Sequence, residues 1–125
     1  MSDTKHLRRI LIVEDEALVS MLLETMLGDA GYGVSGPAAS VDDALALLDG
    51  GERPDAAILD VNLDGREVFP VAERLDALGI PFVFSTGYGE GGLPAKWQGR
   101  QTLHKPYTED GVRSAILRAL GISRA

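Results

Sequence analysis

No cysteine occurs among the 125 residues, so disulfides, thiolate nucleophiles and zinc–thiolate centres are excluded together. No apolar run approaches the roughly 18 residues of a membrane span, and the start, Met1 to Arg9, is polar. Basic charge is also scarce. Lys and Arg number 12 against 19 Asp and Glu, giving a formal net charge of −7 and a pI of about 4.7. Arg8 and Arg9 are the one adjacent basic pair, so the electrostatic footprint of a nucleic-acid binder is missing. These absences predict a soluble, cytoplasmic protein with neither membrane nor nucleic acid as partner. With 45% hydrophobic and 25% charged residues, the chain has enough for one core and too little for two. One domain over residues 1–125, without an output domain, is the expectation.

The apolar runs are short and alternate in kind. Ile10-Leu11-Ile12-Val13 stops at Glu14-Asp15-Glu16, and Ala56-Ala57-Ile58-Leu59 stops at Asp60. Uninterrupted runs of this length suit strands buried on both faces, as in parallel sheets. A weaker strand is expected around Gly33 to Pro37, another from Pro81 to Phe84, and a short one from Gln101 to His104. Between them lie helical spacings. Val19, Leu22, Leu23 and Met26 share one face, with Gly31 as terminator, and Val112, Ala115, Ile116, Ala119 and Leu120 form the cleanest amphipathic stripe. Ser40, followed at three residues by Asp43, predicts a capped helix that ends at Gly50-Gly51. Pro70 is tolerated in a first turn only, so the third helix begins near Val68 or Phe69. Strands alternating with helices imply a parallel α/β sheet, doubly wound, with helices on both faces.

One alternation fails. Gly87, Gly89, Gly91, Gly92, Pro94 and Gly99 crowd the stretch where a fourth helix would lie, at a cost of roughly 1 kcal/mol per interior glycine and about 3 for proline. Gly87, Gly89 and Gly92 match the dinucleotide spacing G-x-G-x-x-G. That fingerprint belongs between a first strand and a helix whose N-terminus binds pyrophosphate, a context missing here. Residues 88–100 are expected to be an irregular or mobile segment that changes with the state of the neighbouring site.

Ligands of open α/β sheets bind at the carboxyl ends of the strands. Four strand ends here carry polar groups: Glu14-Asp15, Asp60, Ser85-Thr86 and Lys105-Pro106. Each alone is unremarkable, since an Asp after a strand is commonly a helix cap and an acidic pair is commonly solvated. Jointly they describe a site. Converging carboxylates repel and raise one another's pKa values. A divalent cation relieves this, and Mg2+, held by one or two carboxylates, waters and phosphate oxygens, suits the set. Asp60 can then act as nucleophile towards phosphorus, with the Lys105 cation and the Thr86 hydroxyl on the phosphoryl oxygens.

The segments "ILIVEDE", "AAILDVNLDG", "FSTG" and "HKPY" resemble the receiver domain of two-component response regulators over nearly the whole chain. The resemblance implies a flavodoxin-like five-stranded sheet of order 2-1-3-4-5. It also implies Mg2+-dependent phosphorylation of Asp60 by a histidine kinase or phosphotransfer protein. Glu14 and Asp15 resemble the metal-binding pair, with Asp15 the direct ligand. Asn62 resembles the residue whose backbone carbonyl joins them, and Thr86 and Lys105 the phosphoryl-contacting pair. Three departures stand out. Asp64-Gly65 follows the acceptor closely, without the usual Met-Pro. Thr102 stands where receivers carry an aromatic switch residue. The fourth helix lacks its signal. With "PFVFSTGYG", these features resemble the single-domain "FAT GUY" receivers of bacterial stress phosphorelays, with Ser85 in place of the motif's alanine.

The expected function is a stand-alone phosphoacceptor, monomeric or homodimeric, that relays phosphoryl groups or switches protein contacts. It is not an enzyme beyond self-catalysed phosphoryl transfer and hydrolysis. Two other readings remain at this level. One is a small phosphohydrolase with an aspartyl-phosphate intermediate, which would want a second carboxylate where Asn62 stands. The other is a pseudo-receiver that binds partners without phosphorylation.

Overall fold

Residues 10–13 are at most 1% exposed, which a strand achieves only when both faces of its sheet are covered. In the computed structural model, which describes residues 7–87 and 93–121, this run lies in β1 (Arg9–Val13). The chain continues through α1 (Ala17–Asp29), β2 (Gly33–Ala38), α2 (Val41–Asp49) and β3 (Ala56–Asp60). A two-stranded hairpin follows, β4 (Asn62–Leu63) and β5 (Arg66–Glu67), then α3 (Phe69–Leu78) and β6 (Phe82–Thr86). A 3-10 turn, Ala95–Trp97, precedes β7 (Thr102–His104) and α4 (Glu109–Ala119). The main sheet has the order β2-β1-β3-β6-β7 with all pairs parallel. With the small hairpin set aside, this is the expected 2-1-3-4-5.

Alternation along the strands sorts the core into two layers. Leu11, Val13, Leu59 and Phe84 pack with Ala44 and Leu48 of α2 and Val71, Ala72 and Leu75 of α3. Ile10, Ile12, Ile58 and Val83 pack with Leu23 and Leu27 of α1 and Val112, Ala115 and Ile116 of α4. The helix starts follow local chemistry. Ser40 Oγ accepts the Asp43 N–H at 3.0 Å, and Thr108 Oγ1 accepts the Gly111 N–H at 3.0 Å. Pro70 sits in the first turn of α3, where its missing N–H is harmless.

Two features differ from the sequence expectation. The fourth long strand runs on through Ser85 and Thr86, because these residues pair with Leu103 and His104 of β7. The β4–β5 hairpin is unanticipated. Asp64 and Gly65 both adopt positive φ, 53° and 87°, the backbone that a two-residue hairpin turn requires, and Asn62 Oδ1 accepts the Gly65 N–H at 2.9 Å.

Between β6 and β7 the described residues contain no α-helix, as expected. Residues 88–92, with Gly89, Gly91 and Gly92, lie outside the described residues. Residues 93–100 are irregular but anchored. Trp97 is 3% exposed, stacks on Phe69 at 6.0 Å and meets Phe84 edge-on at 5.7 Å. Lys96 pairs with Glu73 at 2.7 Å and Arg100 with Asp76 at 2.8 Å, both acids on α3. Arg100 also lies 5.1 Å from the Trp97 ring. Burial of the indole does the work a helix would otherwise do. Among the described residues, no helix is long and apolar enough to cross a membrane.

Candidate functional site

The parallel register brings the strand ends level. Val13 pairs with Leu59, Asp60 with Ser85, and Thr86 with His104, so Glu14, Asp60, Thr86 and Lys105 emerge together at the carboxyl end of the sheet. Asp60, Thr86 and Lys105 border an open cleft of about 610 Å³, together with Asp15, Asn62 and Asp64. One carboxylate oxygen from each of Glu14, Asp15 and Asp60 falls within 4.8 Å of the other two. Lys105 Nζ lies 3.4 Å from Asp60 Oδ2 and 3.5 Å from Glu14 Oε1. Chain segments 45 and more residues apart are thus joined by sheet pairing alone.

Burial sets the electrostatics. Glu14 and Asp60 are 3% and 7% exposed, while Asp15 is partly exposed and Asn62 is exposed. Burial pushes the Glu14 carboxyl up from 4.5 to about 7. The Glu16 N–H, donating to Glu14 Oε2 at 3.1 Å, opposes this, and the nearby Asp60 charge adds to it. Asp60 is likewise raised by burial, with Lys105 pulling the other way. Burial pulls the Lys105 ammonium down, yet the attraction of Asp60 and Glu14 outweighs it and leaves its pKa raised. Glu14 Oε1 is buried without a hydrogen-bond partner. Two buried carboxylates and a third at the rim, with one buried oxygen that lacks a hydrogen bond and meets only the Lys105 ammonium at 3.5 Å, fit a hard divalent cation with oxygen ligands.

The structure therefore gathers Glu14, Asp15, Asp60, Thr86 and Lys105. Asn62 borders the cleft from the first position of β4, its side chain turned to the Gly65 N–H. Asp64, exposed in the hairpin turn, also lines the cleft but is not one of the three clustered carboxylates. One pair escaped sequence reasoning. The hydroxyls of Ser85 and Tyr107 hydrogen-bond to each other in the interior. Each residue stands out singly, Ser85 for replacing the alanine of the motif and Tyr107 for closing "HKPY", but nothing in the sequence joins the two.

The model of the response regulator receiver domain matches residues 10–117. PdtaR, a transcriptional regulatory protein of Mycobacterium tuberculosis (strain CDC 1551 / Oshkosh), is 36% identical over 121 residues, which cover 94% of this chain and 58% of PdtaR. The chain thus spans little more than half of that regulator's length. The solution structure of SdrG from Sphingomonas melonis Fr1 is 46% identical with a TM-score of 0.80, covering 93% of this chain and 98% of SdrG. The BeF3-activated conformation of SdrG from Pseudomonas melonis Fr1 is 45% identical with a TM-score of 0.79, covering 94% and 99%. On sheet order, strand-end chemistry and these similarities together, the chain belongs to the response regulator receiver domain family.

Proposed function

We propose that Asp60 accepts a phosphoryl group from a phosphohistidine of a histidine kinase or phosphotransfer protein. The observation that carries this reading is the placement of Lys105 Nζ 3.4 Å from Asp60 Oδ2 while Glu14 and Asp15 crowd the same carboxylate. In the step, an Asp60 oxygen bonds to phosphorus as the P–N bond to imidazole breaks, and the departing imidazole takes its proton from solvent. Glu14, Asp15, Asp60 and the backbone carbonyl of Asn62 would hold Mg2+, whose charge offsets that of the phosphoryl oxygens. Lys105 supplies a positive charge for one of those oxygens, and Thr86, buried at the end of β6, offers a hydroxyl to another.

Next to the cleft, α1 exposes Leu18 and Met21 at 80% and 59%, with Leu22 beside them. Val19, Leu22, Pro106 and Tyr107 line an adjoining apolar groove. This surface suits a protein donor better than a small-molecule one. The BeF3-activated form of SdrG supports the same chemistry, as BeF3 occupies the place of a phosphoryl group in such complexes. The resemblance to "FAT GUY" receivers extends the proposal to stress signalling, with this chain acting as a relay or protein-interaction switch in the cytoplasm. Asn62, exposed and engaged with its own hairpin, offers no general acid for a phosphohydrolase.

The test is intact-mass measurement after incubation with Mg2+ and acetyl phosphate. One phosphoryl mass is expected on the wild type and on Asp64→Asn, and none on Asp60→Asn. An unlabelled wild type, together with no transfer from any histidine kinase of the source organism, would refute the proposal.

A further inference from the structure

Lys105 lies where support is thin. β7 has three residues and forms the sheet edge, pairing only with β6 among the described strands. Its last rung is the Lys105 N–H donating to the Thr86 carbonyl at 3.3 Å. Beyond that rung the chain makes no further ladder bond before Thr108 caps α4. The two carboxylates hold the ammonium loosely, at 3.4 and 3.5 Å, so the position of Nζ depends on the backbone that carries it.

Tyr107 supplies the missing support. It is buried between α1 and α4 with Leu103, Val112 and Ala115, and its hydroxyl bonds to that of Ser85. Ser85 has no exposed surface and is tied directly to the acceptor. It pairs with Asp60 in the β3–β6 register, and its carbonyl accepts the Val61 N–H at 3.2 Å. One hydrogen bond therefore links the backbone beside Asp60 to the backbone two residues past Lys105. We infer that Tyr107, through Ser85, is a positioning residue for phosphoryl transfer, holding the Lys105 ammonium in register with Asp60. A buried hydroxyl pair could exist for stability alone, and the two roles separate by experiment. The inference rests on Asp60 as acceptor.

Tyr107→Phe and Ser85→Ala each remove the bond, the second with loss of a single oxygen at a position where the related motif carries alanine. Phosphorylation rates are measured with Mg2+ and acetyl phosphate in the wild-type and Lys105→Ala backgrounds, alongside thermal midpoints. Each variant should be slowed about three- to tenfold, short of the roughly hundredfold that a 1 Å misplacement can cost. The double variant should be no slower than the worse single one. In the Lys105→Ala background neither substitution should change the rate. A second readout needs no phosphorylation. With three lysines in the chain, the Lys105 Cε methylene protons can be assigned by NMR through their absence in Lys105→Ala. They should be resolved from each other in the wild type and merge in Tyr107→Phe. Rates within twofold of wild type with only a lower midpoint, or slowing that persists without Lys105, would overturn the inference. An unlabelled wild type would count against the acceptor reading instead. The methylene signal then decides alone, and an unchanged signal overturns the positioning role.

Discussion

Glu14 should cost the metal-free protein stability, and the cost should depend on pH in a defined direction. Its carboxyl, ordinarily near 4.5, is pushed up to about 7 by burial. Between those values the folded state binds more protons than the unfolded state, so stability falls as pH rises through this window. Below pH 4.5 the penalty is absent, and above pH 7 it is complete. The difference corresponds to roughly 3 kcal/mol at about 1.4 kcal/mol per tenfold change. Glu14→Gln keeps the shape and the oxygen that accepts the Glu16 N–H but cannot ionise. In EDTA at pH 8 the variant should be more stable than wild type by up to about 3 kcal/mol, a rise of about 10 °C for a chain of this size. At pH 4.5 the two should unfold within a degree or two of each other. Thermal unfolding followed by circular dichroism across this pH range is the assay. Adding Mg2+ at pH 8 should stabilise the wild type by about 2.7 kcal/mol at a hundredfold excess over the dissociation constant, raising its midpoint, and stabilise the variant less. A Glu14→Gln protein that is destabilised equally at both pH values would refute the reasoning, because the carboxylate would then be a net support rather than a cost.

The same protonation predicts that Mg2+ affinity, measured by isothermal titration calorimetry, climbs between pH 6 and pH 8 as Glu14 loses its proton near 7. A flat profile would exclude Glu14 from the metal site. Trp97→Ala should cost about 3 to 5 kcal/mol in urea unfolding, because the indole fills the space among Phe69, Phe82 and Phe84. Glu73→Ala, which breaks the exposed pair with Lys96, should cost under about 1 kcal/mol. If the two losses were alike, ion pairs rather than the indole would be anchoring the segment.

Much of this molecule was legible because its signals are local. The runs ending at Glu14 and Asp60 are strands with nothing but apolar side chains on both faces, and such runs read the same way in any surroundings. Ser40 and Thr108 cap their helices through hydrogen bonds spanning three residues, and the crowding of Gly and Pro after Thr86 bars an α-helix at the level of backbone energetics. The candidate site was legible for a related reason. In a parallel α/β sheet the end of each strand points the same way, so naming the residues after four strands already names one surface.

The rest depended on where distant segments meet. Trp97 reads as a loop residue in sequence and is a core residue in the fold, because Phe69, Phe82 and Phe84 converge on it from two other elements. The hairpin at Asp64-Gly65 rests on two adjacent positive φ angles, which a four-residue stretch suggests only faintly. Ser85 and Tyr107 carry nothing in sequence that joins them; the pairing of β6 with β7 and the packing of α4 bring their hydroxyls together. Which groups stand at the carboxyl end of the sheet follows from the sequence, since residue type and strand periodicity are properties of the chain itself. How deeply Glu14 and Asp60 are buried, and with that their proton affinities, is set by the packing of distant segments, because desolvation depends on every element that covers a group.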